Sequence, residues 1–166
     1  MRKMILVGRS EAGKTSLTQA LKGKPVVYRK TQYVNHWDVI IDTPGEYAQT
    51  ARLGGALAIF SFEADVIGLL CSATEPYTLF NPAIAGLCTR EVIGIITKTD
   101  RKSANVKMAR LWLEEAGCKK IFPVSSYTGE GIAELLSYLK EDRDVLPWEQ
   151  VKEWQQKYGG VAHGTA

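Results

Sequence analysis

The sequence predicts a three-layer α/β fold, a mostly parallel sheet with helices on both faces. Three observations predict it. Five short apolar runs, 4–7, 39–41, 66–71, 92–96 and 121–124, lack the alternation of a half-exposed strand. Segments with helical spacing separate them. A glycine-rich loop joins the first run directly to the first helical segment. Crossovers between parallel strands are right-handed by the usual steric preference.

The elements follow in order. The first strand, Met4 to Val7, runs into Gly8. Residues 16–22 read as a helix ending at Gly23, a residue suited to a C-cap. The stretch 24–36 is polar and irregular, and loops of that length often carry function. The second strand, 39–41, stops at Asp42. Residues 52–62 stay open between helix and loop, because Gly54 and Gly55 lie within them. After the strands 66–71 and 92–96, Met108, Leu111, Trp112 and Glu115, adjoined by Ala116, mark a helix. The strand 121–124 precedes the clearest amphipathic stripe, Ile132, Leu135, Leu136 and Leu139 at i, i+3, i+4, i+7. Pro147 closes that helical region. Trp148, Val151, Trp154 and Tyr158 predict a short aromatic helix, and residues 159–166 are small. The domain is read as 1–141, with an extension over 142–158 and a tail over 159–166.

Composition bounds the function. The chain has 166 residues, 45% hydrophobic and 23% charged, with 21 basic and 18 acidic side chains and a net charge of +3. This describes one ordinary domain able to bury its own core, and argues against a nucleic-acid binder, which concentrates basic charge. Cys71, Cys88 and Cys118 are odd in number and far apart, with no CxxC or Cys/His cluster, so neither a disulfide framework nor a zinc site is expected. They read as small core residues in a reducing compartment. The four-residue apolar run at the start is too short for a secretory signal. No apolar stretch approaches the ~20 residues of a membrane span, and no lipidation motif is visible. A cytoplasmic location is expected.

The most specific feature is Gly8-Arg9-Ser10-Glu11-Ala12-Gly13-Lys14-Thr15, which matches GxxxxGK[ST] and is followed by Ser16. Glycines let the backbone wrap tightly, so that its N–H groups face phosphate oxygens. The helix N-terminus adds partial positive charge. Lys14 is expected to reach the β- and γ-phosphates, and the Thr15 hydroxyl to bind magnesium. Asp42-Thr43-Pro44-Gly45 ends the second strand, 27 residues after Thr15. An Asp there can hold magnesium through water, and the Gly45 N–H can face a γ-phosphate.

Thr97-Lys98-Thr99-Asp100 ends the fourth strand. The Asp100 carboxylate can accept from N1–H and the exocyclic amine of guanine. Adenine would leave it unpaired. The Lys98 stem can pack across base and ribose. Ser125-Ser126-Tyr127 follows the last strand, where its backbone can contact guanine O6.

These four boxes, in this order and spacing, resemble the Ras-like P-loop GTPases of the translation-factor class over residues 1–141. The runs LVGRSEAGKTSLTQAL, IIDTPGEY, SATEP, IGIITKTD and IFPVSS-TGEG resemble more closely the EutP/PduV family of ethanolamine- and propanediol-utilisation proteins. That resemblance implies a Ras-like G domain, GTP or GDP with Mg2+ as ligands, and a link to bacterial microcompartments and their shell or pathway proteins. Three departures stand out. Thr97 replaces the usual asparagine, so one anchoring amide is absent; its hydroxyl can replace part of that hydrogen bonding, with weaker guanine affinity the alternative. Ser126-Tyr127 replaces the usual alanine and lysine. Glu46 stands where Ras-like proteins carry the glutamine that orients the attacking water, and is read either as orienting that water or as a solvated switch residue.

Thr31, in the polar stretch, is the threonine expected to complete the magnesium shell. Lys14, Glu46 and Thr31 thus form the expected catalytic set. Tyr28 is read as flanking the guanine edge or as loop packing. Arg29 and Arg9 are either fingers in cis or solvated arginines. His36 and His163 show no partner. The segment 101–120 carries six basic and two acidic residues and reads as a solvated helix face or a partner surface.

Three functions compete. The first is slow GTP hydrolysis driving a switch. The second is phosphoryl transfer to a small carboxylate such as acetate. The third is a non-enzymatic, nucleotide-stabilised module for localisation to the microcompartment.

Overall fold

The computed structural model describes residues 2–9, 11–22, 35–36, 40–42, 53–78 and 80–142. In chain order they form β1 (Met4–Val7), α1 (Lys14–Leu21), β2 (Asn35–His36), β3 (Ile40–Asp42), α2 (Leu53–Phe60), β4 (Val66–Ser72), β5 (Glu91–Thr97), α3 (Val106–Glu115), β6 (Ile121–Pro123) and α4 (Ile132–Leu139). A 3₁₀ turn over Ile84–Leu87 precedes β5. The strands make a six-stranded sheet ordered β2-β3-β1-β4-β5-β6. β2 pairs antiparallel with β3, and the other pairings are parallel.

The apolar runs become strands because both sheet faces are covered. On one face, Met4, Leu6, Leu70, Ile93 and Ile95 pack with Leu17 and Leu21 of α1 and Leu135, Leu136 and Leu139 of α4. On the other, Ile5, Val7, Ile67, Leu69, Cys71 and Ile96 pack with Leu57 of α2 and Ala109 and Leu113 of α3. Successive strand residues alternate between these two cores, as the period of two requires. All three cysteines are free, with Cys71 and Cys118 buried and Cys88 half-buried, as small core residues should be. Burial pushes the Cys118 thiol up to about 12.

Three expectations are corrected and one open segment is resolved. The polar stretch 24–36 ends in a strand, since Asn35 and His36 pair with Asp42 and Ile41. The ambiguous segment 52–62 is helical over Leu53–Phe60. α3 turns a different stripe inward: Ala109 and Leu113 are buried, whereas Met108 and Leu111 are exposed. The reason lies on β5, where Gly94 leaves a hollow. A Cβ there would stand 2.9 Å from Leu113 Cδ1 and 3.1 Å from Ile121 Cγ1. Finally, α4 stops at Leu139, where Lys140 turns to extended backbone, well before Pro147. Gly23, Pro147, the C-terminal stripe Trp148, Val151, Trp154 and Tyr158, and the tail 159–166 lie outside the described residues.

The chain leaves β1 for β3 on one side and β4 on the other. That reversal opens a crevice beyond the carboxyl ends of the strands, where open α/β sheets bind ligands.

Candidate functional site

The loop after β1 is shaped by close approach and left-handed backbone. Gly8 passes β4 so tightly that a Cβ would stand 3.0 Å from Leu70 Cβ and 3.1 Å from the Leu70 carbonyl oxygen. Glu11, at φ 67, and Gly13, at φ 99, take left-handed conformations. Left-handed residues spaced in this way are the backbone pattern from which anion nests are built. Ala12 N donates to the Arg9 carbonyl at 3.1 Å and closes the turn.

Lys14, the first residue of α1, is 7% exposed despite its charge. Its Nζ donates to the carbonyls of Gly8 and Arg9, each at 3.0 Å. The ammonium therefore lies within the curve of the loop. Thr15 and Ser16 follow on the first turn of α1, both half-buried. Helix N-terminus, nest and lysine converge on one anion-binding locus.

The second loop, after β5, is tied to the first. Lys98, left-handed at φ 58, extends Nζ to the Glu11 carbonyl at 2.7 Å. Thr97, assigned from sequence to the base-reading loop, makes its described hydrogen bond to the phosphate loop. It is 2% exposed, and its hydroxyl donates to the Ala12 carbonyl at 2.5 Å. Its side chain also lines the flank of Gly13. Thr97 braces the two loops together, because a short side chain at the strand's end reaches the phosphate loop and no farther.

Asp100 is exposed at the mouth of the crevice. Its Oδ1 accepts from Ser125 Oγ at 2.8 Å. Ser125 is fully buried, and its Oγ also accepts from Thr128 N at 3.2 Å. Its backbone N donates to the Glu130 carbonyl at 2.9 Å. Ser125 thus orients the Asp100 carboxylate and folds its own loop. Gly131, at φ 74, permits that loop, since a Cβ there would collide with the Pro123 carbonyl at 2.1 Å. Ser126 is half-buried and Tyr127 exposed, with the Arg101 guanidinium 5.9 Å from the Tyr127 ring centre.

A third loop was not assigned from sequence. Glu75, in the turn after β4, accepts from Ser72 N at 3.1 Å and from the Cys71 thiol at 3.7 Å. Burial raises the Glu75 carboxyl above its ordinary value, with Arg9 and Lys98 opposing. Arg9 lies over the Tyr77 ring, 5.0 Å from its centre. The run Ser72-Ala73-Thr74-Glu75-Pro76 had marked a family resemblance without revealing that contact.

Among the described residues, no group of three or more His, Cys, Asp or Glu gathers to hold a metal. Asp42 pairs in register with Leu6 of β1, which brings β3's end beside the phosphate loop. Ser10, Thr31, Gly45, Glu46, Tyr28, Arg29 and His163 lie outside the described residues. No helix among the described residues is long and apolar enough to cross a membrane.

Comparison with known proteins agrees with this arrangement. The chain is 39% identical over 140 residues to propanediol utilization protein PduV of Citrobacter freundii, covering 84% of this chain and 93% of that one. It is 32% identical over 142 residues to a protein of Escherichia coli named probable acetate kinase EutP, covering 84% and 89%. A crystal structure of an Aquifex aeolicus Era variant, bound to GDP and tetrafluoroaluminate, shares the fold with a TM-score of 0.58 at 22% identity. That match covers 88% of this chain, which spans 59% of the Era chain. The family model described as ethanolamine utilisation – propanediol utilisation matches residues 1–141, and the chain belongs to this PduV-EutP family of P-loop proteins.

Proposed function

We propose that the protein binds guanine nucleotides with Mg2+ and hydrolyses GTP slowly, as a switch in ethanolamine or propanediol utilisation. The observation that carries this reading is the tie between two loops. Thr97 and Lys98 anchor the Asp100 loop on the carbonyls of Ala12 and Glu11. A carboxylate suited to a guanine edge is thereby held at a fixed distance from a phosphate nest and Lys14.

Each group has a distinct task. The loop N–H groups and α1 bind phosphate oxygens. Lys14 neutralises charge at the β- and γ-positions. Asp100, oriented by Ser125, selects the base. Thr15 and Asp42, with Thr31, would hold Mg2+, whose chemistry is to neutralise charge on the transferring phosphoryl group. Thr15 at the N-terminus of α1 beside the nest fits that assignment. Glu46, in place of a glutamine, is proposed as the water-orienting group, which accounts for slow intrinsic turnover. Gly45 would face the γ-phosphate. The crevice is proposed to lie in a cytoplasmic protein of residues 1–141 plus its extension, associated with microcompartment shell or pathway proteins.

Calorimetry with GDP, GTP, ATP and xanthine nucleotides tests the binding reading. Micromolar or tighter binding confined to guanine nucleotides is expected, with hydrolysis lost in Lys14→Ala. Equal affinity for ATP, or a rate unaltered by Lys14→Ala, would refute it. A second reading, phosphoryl transfer to acetate, is motivated by the name given to the E. coli relative. Nucleotide consumption that depends on added acetate would favour it. If Lys14→Ala and Glu46→Ala proteins both still co-fractionate with microcompartments, localisation does not require turnover.

A further inference from the structure

We infer that Arg9 is a positioning residue of the phosphate loop, clasped by Tyr77 so that the Arg9 carbonyl stays where Lys14 is anchored. The inference deepens the nucleotide reading above and rests on it. The Arg9 carbonyl accepts from Lys14 Nζ at 3.0 Å and from Ala12 N at 3.1 Å. One peptide oxygen therefore sets both the lysine and the turn of the loop. The other oxygen on the ammonium, that of Gly8, is fixed by packing against β4. Arg9 lies one residue farther from the strand, and its side chain reaches back to the turn after β4.

The Arg9 guanidinium lies 5.0 Å from the centre of the Tyr77 ring. Tyr77 is 53% exposed, so the ring is no part of the core, and its packing role is toward Arg9. Glu75 adds a negative field from the same turn, its carboxylate fixed by Ser72 N and the Cys71 thiol. Arg9 Nη1 is buried without a hydrogen-bond partner among the described residues. A guanidinium nitrogen that leaves water and gains no acceptor costs free energy. The contact is thus inefficient as a stabilising pair and effective as a positioning one. It couples the turn after β4 to the lysine that meets the phosphates, across 68 positions of sequence from Arg9 to Tyr77.

The test measures displacement of fluorescent GDP from the full chain. Arg9→Ala and Tyr77→Ala should each weaken GDP roughly 2- to 30-fold, the range that a cation–π contact spans. The double variant should be no weaker than the worse single one, because both remove the same contact. Tyr77→Phe keeps the ring and should restore GDP affinity. GMP lacks the β-phosphate that Lys14 reaches, so its affinity should change by less than about twofold in every variant. The clasp is overturned if Arg9→Ala leaves GDP binding intact, if GMP weakens as much as GDP, or if Tyr77→Phe behaves like Tyr77→Ala. Lys14→Ala separates the two levels. If it abolishes GDP binding while Arg9→Ala does nothing, the clasp alone fails. If Lys14→Ala itself leaves GDP binding intact, the nucleotide reading fails and takes the clasp with it.

Discussion

Thr97→Val isolates the brace between the two loops. Valine matches threonine in shape, so the packing beside Gly13 is kept and the hydroxyl is lost. That hydroxyl donates to the Ala12 carbonyl from a residue 2% exposed. Water cannot readily replace it there. Removing one partner of a buried neutral pair leaves the other desolvated, at a cost of about 1–3 kcal/mol. With a urea m-value of about 2 kcal/mol per molar, a loss of about 2 kcal/mol lowers the unfolding midpoint by about 1 M. The corresponding fall in melting temperature is roughly 4–8 °C for a chain of this size. Guanine-nucleotide affinity should fall as well, since the Asp100 loop loses one of its two ties to the phosphate loop. Thr97→Ser keeps the hydroxyl and should retain most of both properties. A Thr97→Val protein with the wild-type midpoint and affinity, or a Thr97→Ser protein as weak as Thr97→Val, would refute the brace.

Asp100→Asn should weaken GDP by about tenfold or more, the scale of a lost hydrogen bond to a charged group, and should strengthen xanthine nucleotides, as calorimetry would show. Gly94→Ala should destabilise by about 1–3 kcal/mol in urea titration, the usual cost of overpacking, because its Cβ would press on Leu113 and Ile121. Glu91 accepts from the Tyr138 hydroxyl and from Arg2, and these hold its carboxyl below the ordinary 4.5, the tyrosine bond most of all. A depressed folded value gives stability that is present above pH 4.5 and is lost as pH falls through the folded value. Glu91→Gln should therefore narrow the difference between midpoints measured at pH 6 and pH 3. The effect is modest, because the pair is solvent-exposed.

The parts legible in the sequence are those encoded by neighbouring residues. β1, the glycine loop and α1 follow one another within 18 positions, and each carries its own signal. The buried strands announce themselves as unbroken apolar runs because helices cover both faces. β2 was illegible, since two polar residues at a sheet edge have no hydrophobic period. The inward stripe of α3 was misread because its partner is an absence, the missing side chain of Gly94. The stop of α4 was misplaced because Pro147 is a strong signal in the wrong place, while Lys140 ends the helix with none. At the site, residue types were readable and partners were not. Thr97 meets Ala12 across 85 positions, and Arg9 meets Tyr77 through the tertiary fold.

The brace changes what the departure at Thr97 means. Read along the sequence, losing an asparagine subtracts an amide from the base-reading loop, with weaker guanine binding as one alternative. In the fold, the side chain at this position points into the phosphate loop, where a hydroxyl supplies the required donor to Ala12. The group proposed to face the base is Asp100, whose carboxylate accepts from the Ser125 hydroxyl. On the proposed reading, the substitution acts through the coupling between the loops. Guanine preference should track Asp100 and Ser125, whereas the strength of phosphate binding should track Thr97, Lys98 and Arg9. Variants at the first pair should alter the ratio of guanine to xanthine affinity. Variants at the second set should lower both affinities together and leave their ratio unchanged.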